Sequence, residues 1–166
     1  NTDGTVSYMT KDEARAAGII VSNAETVMNN AATYIGKTEG ELGYSGTAWC
    51  GYFIGRIGRE SGISEDVLPS YGLADDYRIF YINEKRWHDR SKDYVPQKGD
   101  VILFDGLTSS GTNGFADHVG FVDYVDSDGY IHTIEGNMHV DGNWICSTGT
   151  YDPSSDKIMG YGHPDY

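Results

Sequence analysis

HVGFVDYVDSDGYIHTIEGN, residues 118–137, reads as two strands and the turn between them. Both halves are rich in β-branched and aromatic residues, and DSDG at 126–129 supplies a tight connection in which Gly129 suits a positive φ. With the turn centred on Ser127 and Asp128, paired residue numbers sum to about 255, which sets His118 opposite Asn137 and one step from Glu135. Glu135 and Asn137 are two apart and project from the same face. His118 opens its strand directly after the loop TSSGTNGFAD (108–117), at the rim of a sheet.

KGDVILFD (98–105), NWICSTGTY (143–151) and KIMGYG (157–162) continue the strand pattern. Upstream the period is helical. A short helix is expected over Thr10–Ala17, with Thr10 and Glu13 as a capping box. A second spans Asn23–Ile35, with Ala24, Val27, Met28, Ala31 and Ile35 at helical spacing and Gly36 ending it. Residues 36–47 read as glycine-punctuated loop. AWCGYFIGRIGRES (48–61) predicts a helix from about Trp49 to Ser61, with Trp49, Phe53, Ile54 and Ile57 inward. Its Gly51, Gly55 and Gly58 point to close approach of another backbone, expected to be a sheet. GLADDYRIFYINE (72–84) predicts a third main helix with Leu73, Tyr77, Phe80 and Tyr81 on one face. Helices followed by an antiparallel sheet make an α+β fold, one layer of each.

The 166 residues suffice for one domain with a real core. The 22 glycines favour a turn-rich mixed fold over a helical bundle. A net charge of −13 argues against nucleic acid and anionic membranes as partners. No run approaches the roughly 18 apolar residues of a membrane span, and the N-terminus lacks the layout of a signal peptide. The chain, beginning at Asn, reads as an excised domain or processed product. Residues 1–22 are expected to be peripheral and 23–166 to form the main domain.

Only two cysteines occur, and Cys50 stands at a helix start. It can be packing, half of a Cys50–Cys146 bridge, a metal ligand or a nucleophile. A helix N-terminus stabilises a thiolate, and the residue's own N–H then points toward an oxyanion. A nucleophilic thiol needs a base and the base an orienter. His118, with Glu135 and Asn137 nearby, offers that arrangement. His88, His132, His139 and His163 have no partner motif and read as solvated, and Cys146 reads as filler on a strand.

AWC at 48–50, PQKGDVILFD at 96–105, DHVGFV at 117–122 and IHTIEGN at 131–137, in that order, resemble the CHAP family of cysteine, histidine-dependent amidohydrolases and peptidases. The resemblance runs from about Asn23 to Pro164 and includes the closing IMGYGHP. It implies a papain-like (NlpC/P60-like) fold, with N-terminal helices packed on a C-terminal antiparallel sheet. It also implies hydrolysis of an amide bond in bacterial peptidoglycan, by an N-acetylmuramoyl-L-alanine amidase or a stem or cross-bridge endopeptidase. The family's nucleophile then falls on Cys50, its base on His118, its third member on Glu135 and its fourth polar residue on Asn137. The implied setting is the cell wall, reached by a secreted autolysin or a phage endolysin. So acidic a domain would bind anionic wall polymers poorly, and a separate wall-targeting domain is expected in the full-length protein.

Aromatic residues are expected to line the groove: Trp49, Tyr71, Trp87 and Tyr44, with Asp117 placed to meet a substrate amine or to cap its loop. No metal and no cofactor are expected. YVDSDGYIHTIE has Tyr124 where an EF-hand loop needs a carboxylate, and His132, Glu135 and His139 form a zinc triplet only if helical. Some CHAP relatives hold calcium in the acidic loop before the nucleophile; here that loop offers only Glu39 and Glu41, and calcium elsewhere stays open. Two other functions compete: a catalytically idle wall-binding module, and a Cys-His enzyme acting on protein amides. Four chemically competent polar positions weigh against the first.

Overall fold

A computed structural model describes residues 23–90, 93–108 and 111–166. The helix expected over Thr10–Ala17 and the peripheral segment 1–22 lie outside these residues. The described helices are α1 (Asn23–Ala32), α2 (Glu39–Leu42), α3 (Cys50–Glu60) and α4 (Ala74–Asn83). They precede the strands β1 (Trp87–Asp89), β2 (Val101–Phe104), β3 (His118–Val125), β4 (Ile131–Val140), β5 (Asn143–Tyr151) and β6 (Ile158–Gly162). The strands form one antiparallel sheet in the order β1-β6-β2-β3-β4-β5. The change of period seen in the sequence is therefore the boundary between the two layers.

The core of the helical layer is α3. Trp49, Phe53, Ile54 and Ile57 are fully buried, and each such side chain contributes roughly 1.5–3 kcal/mol by leaving water. The glycines of α3 do not face a sheet, as the sequence led us to expect. They face the irregular segment 68–71: a Cβ at Gly55 would lie 2.5 Å from Ser70 Cβ, and one at Gly51 would collide with Tyr71 O. From α4, the Tyr77 hydroxyl donates to Gly51 O (2.7 Å) and fixes that crossing. The sheet reaches α3 through a glycine of its own. At Gly136 on β4 a Cβ would stand 2.6 Å from Phe53 Cβ.

Three further expectations need correcting. The first helix stops at Ala32, not Ile35, because the chain leaves it to pair with β5: Gly36 N donates to Cys146 O and Cys146 N to Lys37 O. Tyr34 is buried in place of Ile35, which is 45% exposed. Residues 36–47 contain α2, closed by a reciprocal capping box between Thr38 and Glu41. On α4, Tyr77 and Tyr81 are buried, but Leu73 is 69% exposed. Its extended backbone (φ −100°, ψ 134°) precedes the helix, so helical spacing does not apply to it.

The β3–β4 hairpin carries the site. Beside the turn the pairs run one residue off the expected register, as in Tyr124↔His132. An irregularity between Val122 and Tyr124 restores it, giving Val122↔Thr133 and Phe121↔Ile134. Asp126 builds the turn by accepting the N–H groups of Asp128 and Tyr130 on Oδ1 and facing His132 Nε2 with Oδ2. Alternation then divides the hairpin. Val119, Phe121 and Ile134 join the core shared with α3, while Val122 and Ile131 join a second cluster with Ile102, Phe104 and Tyr161.

Candidate active site

Cys50 is the first residue of α3 and is 5% exposed. The residue before it, Trp49, makes no side-chain capping bond. No side chain of the usual N-cap kind therefore closes the helix, which leaves its leading N–H donors for another acceptor. Cys50 lines a cleft of about 390 Å³ together with Glu39, Thr47, Thr108, Asp117, Asn137 and other residues.

His118 is fully buried at the start of β3. Its Nε2 lies 2.7 Å from Glu135 Oε2. Its Nδ1 is also buried and has no well-aligned hydrogen-bond partner among the described residues. The sulfur of Cys50 is the neighbour on which that ring still acts. Burial drives the proton off His118, but Cys50 and the Glu135 carboxylate outweigh it and push the pKa up to about 10. At neutral pH the ring is therefore an imidazolium held between the Glu135 carboxylate and the sulfur of Cys50. Such a pair can supply a nucleophile and a general acid to one carbonyl substrate.

Glu135 is the carboxylate on the imidazole. Asn137 is not: it sits where the β4–β5 register breaks, with φ 63°, and lines the cleft beside Cys50. Glu135 is itself fully buried. Its other oxygen, Oε1, accepts the Thr133 hydroxyl. Two glycines make room for it on the flanking strands. A Cβ at Gly120 of β3 would collide with Glu135 Cγ, and one at Gly149 of β5 would lie 2.5 Å from Oε1. Thr133, Gly120 and Gly149 were missed in the sequence. Thr133, on the same strand face two residues before Glu135, was the available signal.

The expected groove residues fare less well. Trp49 is fully buried, stacked on Tyr44 at 5.4 Å, and belongs to the core. Tyr71 packs edge-on against Tyr77 and Phe80. Trp87 lies on β1, separated from β3 by β6 and β2, with its Nε1 donating to Asp89. Trp144, 41% exposed, is the aromatic residue that lines the cleft. Asp117 also lines it, but its carboxylate accepts the N–H groups of Gly106, Leu107 and Thr108 and so organises the loop before His118.

Other histidines are not simply solvated. His132 pairs with Asp126 and His163 with Asp100, each at 2.7 Å, and His88 stacks on Tyr94 at 3.8 Å. Both cysteines are free, and Cys146 is wholly buried in the core. In the loop before Cys50, Glu41 is engaged in the capping box, leaving Glu39 as that loop's carboxylate on the cleft.

The CHAP domain family model matches residues 42–137, more than half of the chain. The chain belongs to the CHAP family. The match ends on Asn137 and contains Cys50, His118 and Glu135. Among solved structures, this CHAP domain is similar to Ly7917 bound to "the hydrolyzing product of MDP", at 16% identity and a TM-score of 0.50, over 85% of this chain and 62% of that one. A second Ly7917 structure gives 15% identity and 0.50, over 86% and 63%. An N-acetylmuramoyl-L-alanine amidase from Staphylococcus aureus is 20% identical with a TM-score of 0.44, over 70% of this chain and 31% of the amidase. The chain thus spans about a third of the amidase and just under two thirds of Ly7917. The Ly7917 likeness is one of fold, the α+β, papain-like arrangement. No curated protein matches the chain.

Proposed function

We propose that this CHAP domain is a peptidoglycan hydrolase that cleaves an amide bond through a thioester on Cys50. The observation that carries the reading is the buried His118, bonded to Glu135 on one side and set on the other against Cys50, which lines an open cleft. In the first half-reaction the Cys50 thiolate attacks the amide carbonyl, and the leading N–H groups of α3 receive the oxyanion. The His118 imidazolium gives its proton to the departing amine. In the second half-reaction the neutral imidazole takes a proton from water, whose oxygen attacks the thioester, and Cys50 is released. Glu135 holds the ring and offsets its charge throughout, while Asn137 is placed to touch the substrate. Each proposed step uses only side chains and backbone groups of this domain together with water.

The setting that suits the reaction is the cell wall, outside the cell, with wall attachment supplied by another domain. Zymography on purified sacculi tests the reading. Clearing by the wild type and none by Cys50→Ala or Cys50→Ser, with all three folded, is the expected result. Clearing by Cys50→Ala would end the mechanism. Inert sacculi alongside cleaved protein amides would move the enzyme to the other substrate class.

A further inference from the structure

His118 does not find Glu135 unaided; the carboxylate is itself held. Glu135 projects from β4 toward Gly120 of β3 and Gly149 of β5, two positions where any side chain would displace it. In that slot its two oxygens have different partners. Oε2 faces His118 Nε2 at 2.7 Å, and Oε1 accepts the hydroxyl of Thr133, which is 1% exposed. A carboxylate oxygen buried without a donor is costly, and the group can escape that cost by rotating. Rotation takes the anion away from the imidazole. The Thr133 hydroxyl opposes it, and Tyr151 on β5 also hydrogen-bonds to this carboxylate.

We propose that Thr133 is a positioning residue of the catalytic pair: its hydroxyl holds the Glu135 carboxylate with Oε2 on His118, and so keeps the ring aimed at Cys50. Four titratable side chains act on this carboxylate. They are His118 on β3, Cys146 and Tyr151 on β5, and, through the ring, Cys50 on α3. Burial and the charge of Glu135 raise the pKa of Tyr151 and of Cys146, helped at Tyr151 by a hydrogen bond to that carboxylate and reaching about 12 at Cys146, so both stay protonated over the range tested. His118 and Cys50 are then the pair whose protons the experiment follows.

The proposal builds on the catalytic reading of Cys50 and His118, but its test needs no substrate, so inert sacculi leave it readable. Alkylation of Cys50 by iodoacetamide is followed against pH in the wild type, Thr133→Val and Thr133→Ser, with the wholly buried Cys146 identified separately by peptide mass spectrometry. Thr133→Val keeps the shape and removes the donor. Its alkylation rate should rise at higher pH than in the wild type and fall about tenfold near pH 6, the worth of one lost charge-assisted hydrogen bond. Thr133→Ser should restore the wild-type profile. If Thr133→Val does not fold, Thr133→Ala, which removes the hydroxyl together with the methyl, is read in the same way. A folded Thr133→Val or Thr133→Ala with an unshifted profile overturns the proposal, as does a Thr133→Ser that fails to restore it.

Discussion

At His118 burial and charge act in opposite directions, and charge prevails. A basic group with a raised folded-state pKa adds stability that is full below its unfolded value of about 6.5 and is lost as pH climbs through the folded value. For His118 that window runs up to about 10. The Tm gap between wild type and His118→Gln should be widest near pH 6 and narrow steadily toward about pH 10. A gap that stays flat or widens would contradict the imidazolium. Gly120 allows a second test. Gly120→Ala sets a methyl against Glu135 Cγ, and turnover should fall by roughly tenfold or more while Cys50 stays in place. Cys50, His118, Glu135 and Asn137 were all legible as residues. The division of labour between Glu135 and Asn137 was not, because it depends on a register break and a positive φ at Asn137 that residue types do not encode.

Elements were more legible than their contacts. The ends of β3 and β5 and the buried face of α3 fall where period and composition put them. The glycines of α3 announced a close crossing, but their partner is a segment without secondary structure, and such a segment has no period to read. The same holds for β1, three residues long and formed by pairing with β6. For Gly55→Ala, the new methyl meets both Cβ and Cα of Ser70. The cost should be about 1–3 kcal/mol by urea unfolding, with an unchanged m-value, as for other overpacked sites. A neutral substitution would mean that segment 68–71 is free to yield. Trp49 shows the limit of local reading: a tryptophan beside a nucleophile looks like a groove residue, yet the loop folds it under Tyr44 and leaves the exposed wall to Trp144.

Across the whole molecule the dominant quantity is charge. On the proposed cell-wall substrate, which is anionic, a chain of net −13 would have its encounter with sacculi opposed by long-range repulsion. Raising ionic strength from about 10 mM to about 150 mM shortens the Debye length from about 30 Å to about 8 Å, and lysis by the isolated domain should quicken over that range. Lysis slowed by salt would mean that a cationic face does the binding. Beneath these effects lies one chemical claim: the sulfur of Cys50 carries the acyl group. A defined muropeptide, incubated with wild type, Cys50→Ala and His118→Gln and analysed by mass spectrometry for new amino and carboxyl ends, tests it most directly. One matched pair of new ends from the wild type, and none from either variant, is the predicted result. The same ends released by Cys50→Ala would contradict the account.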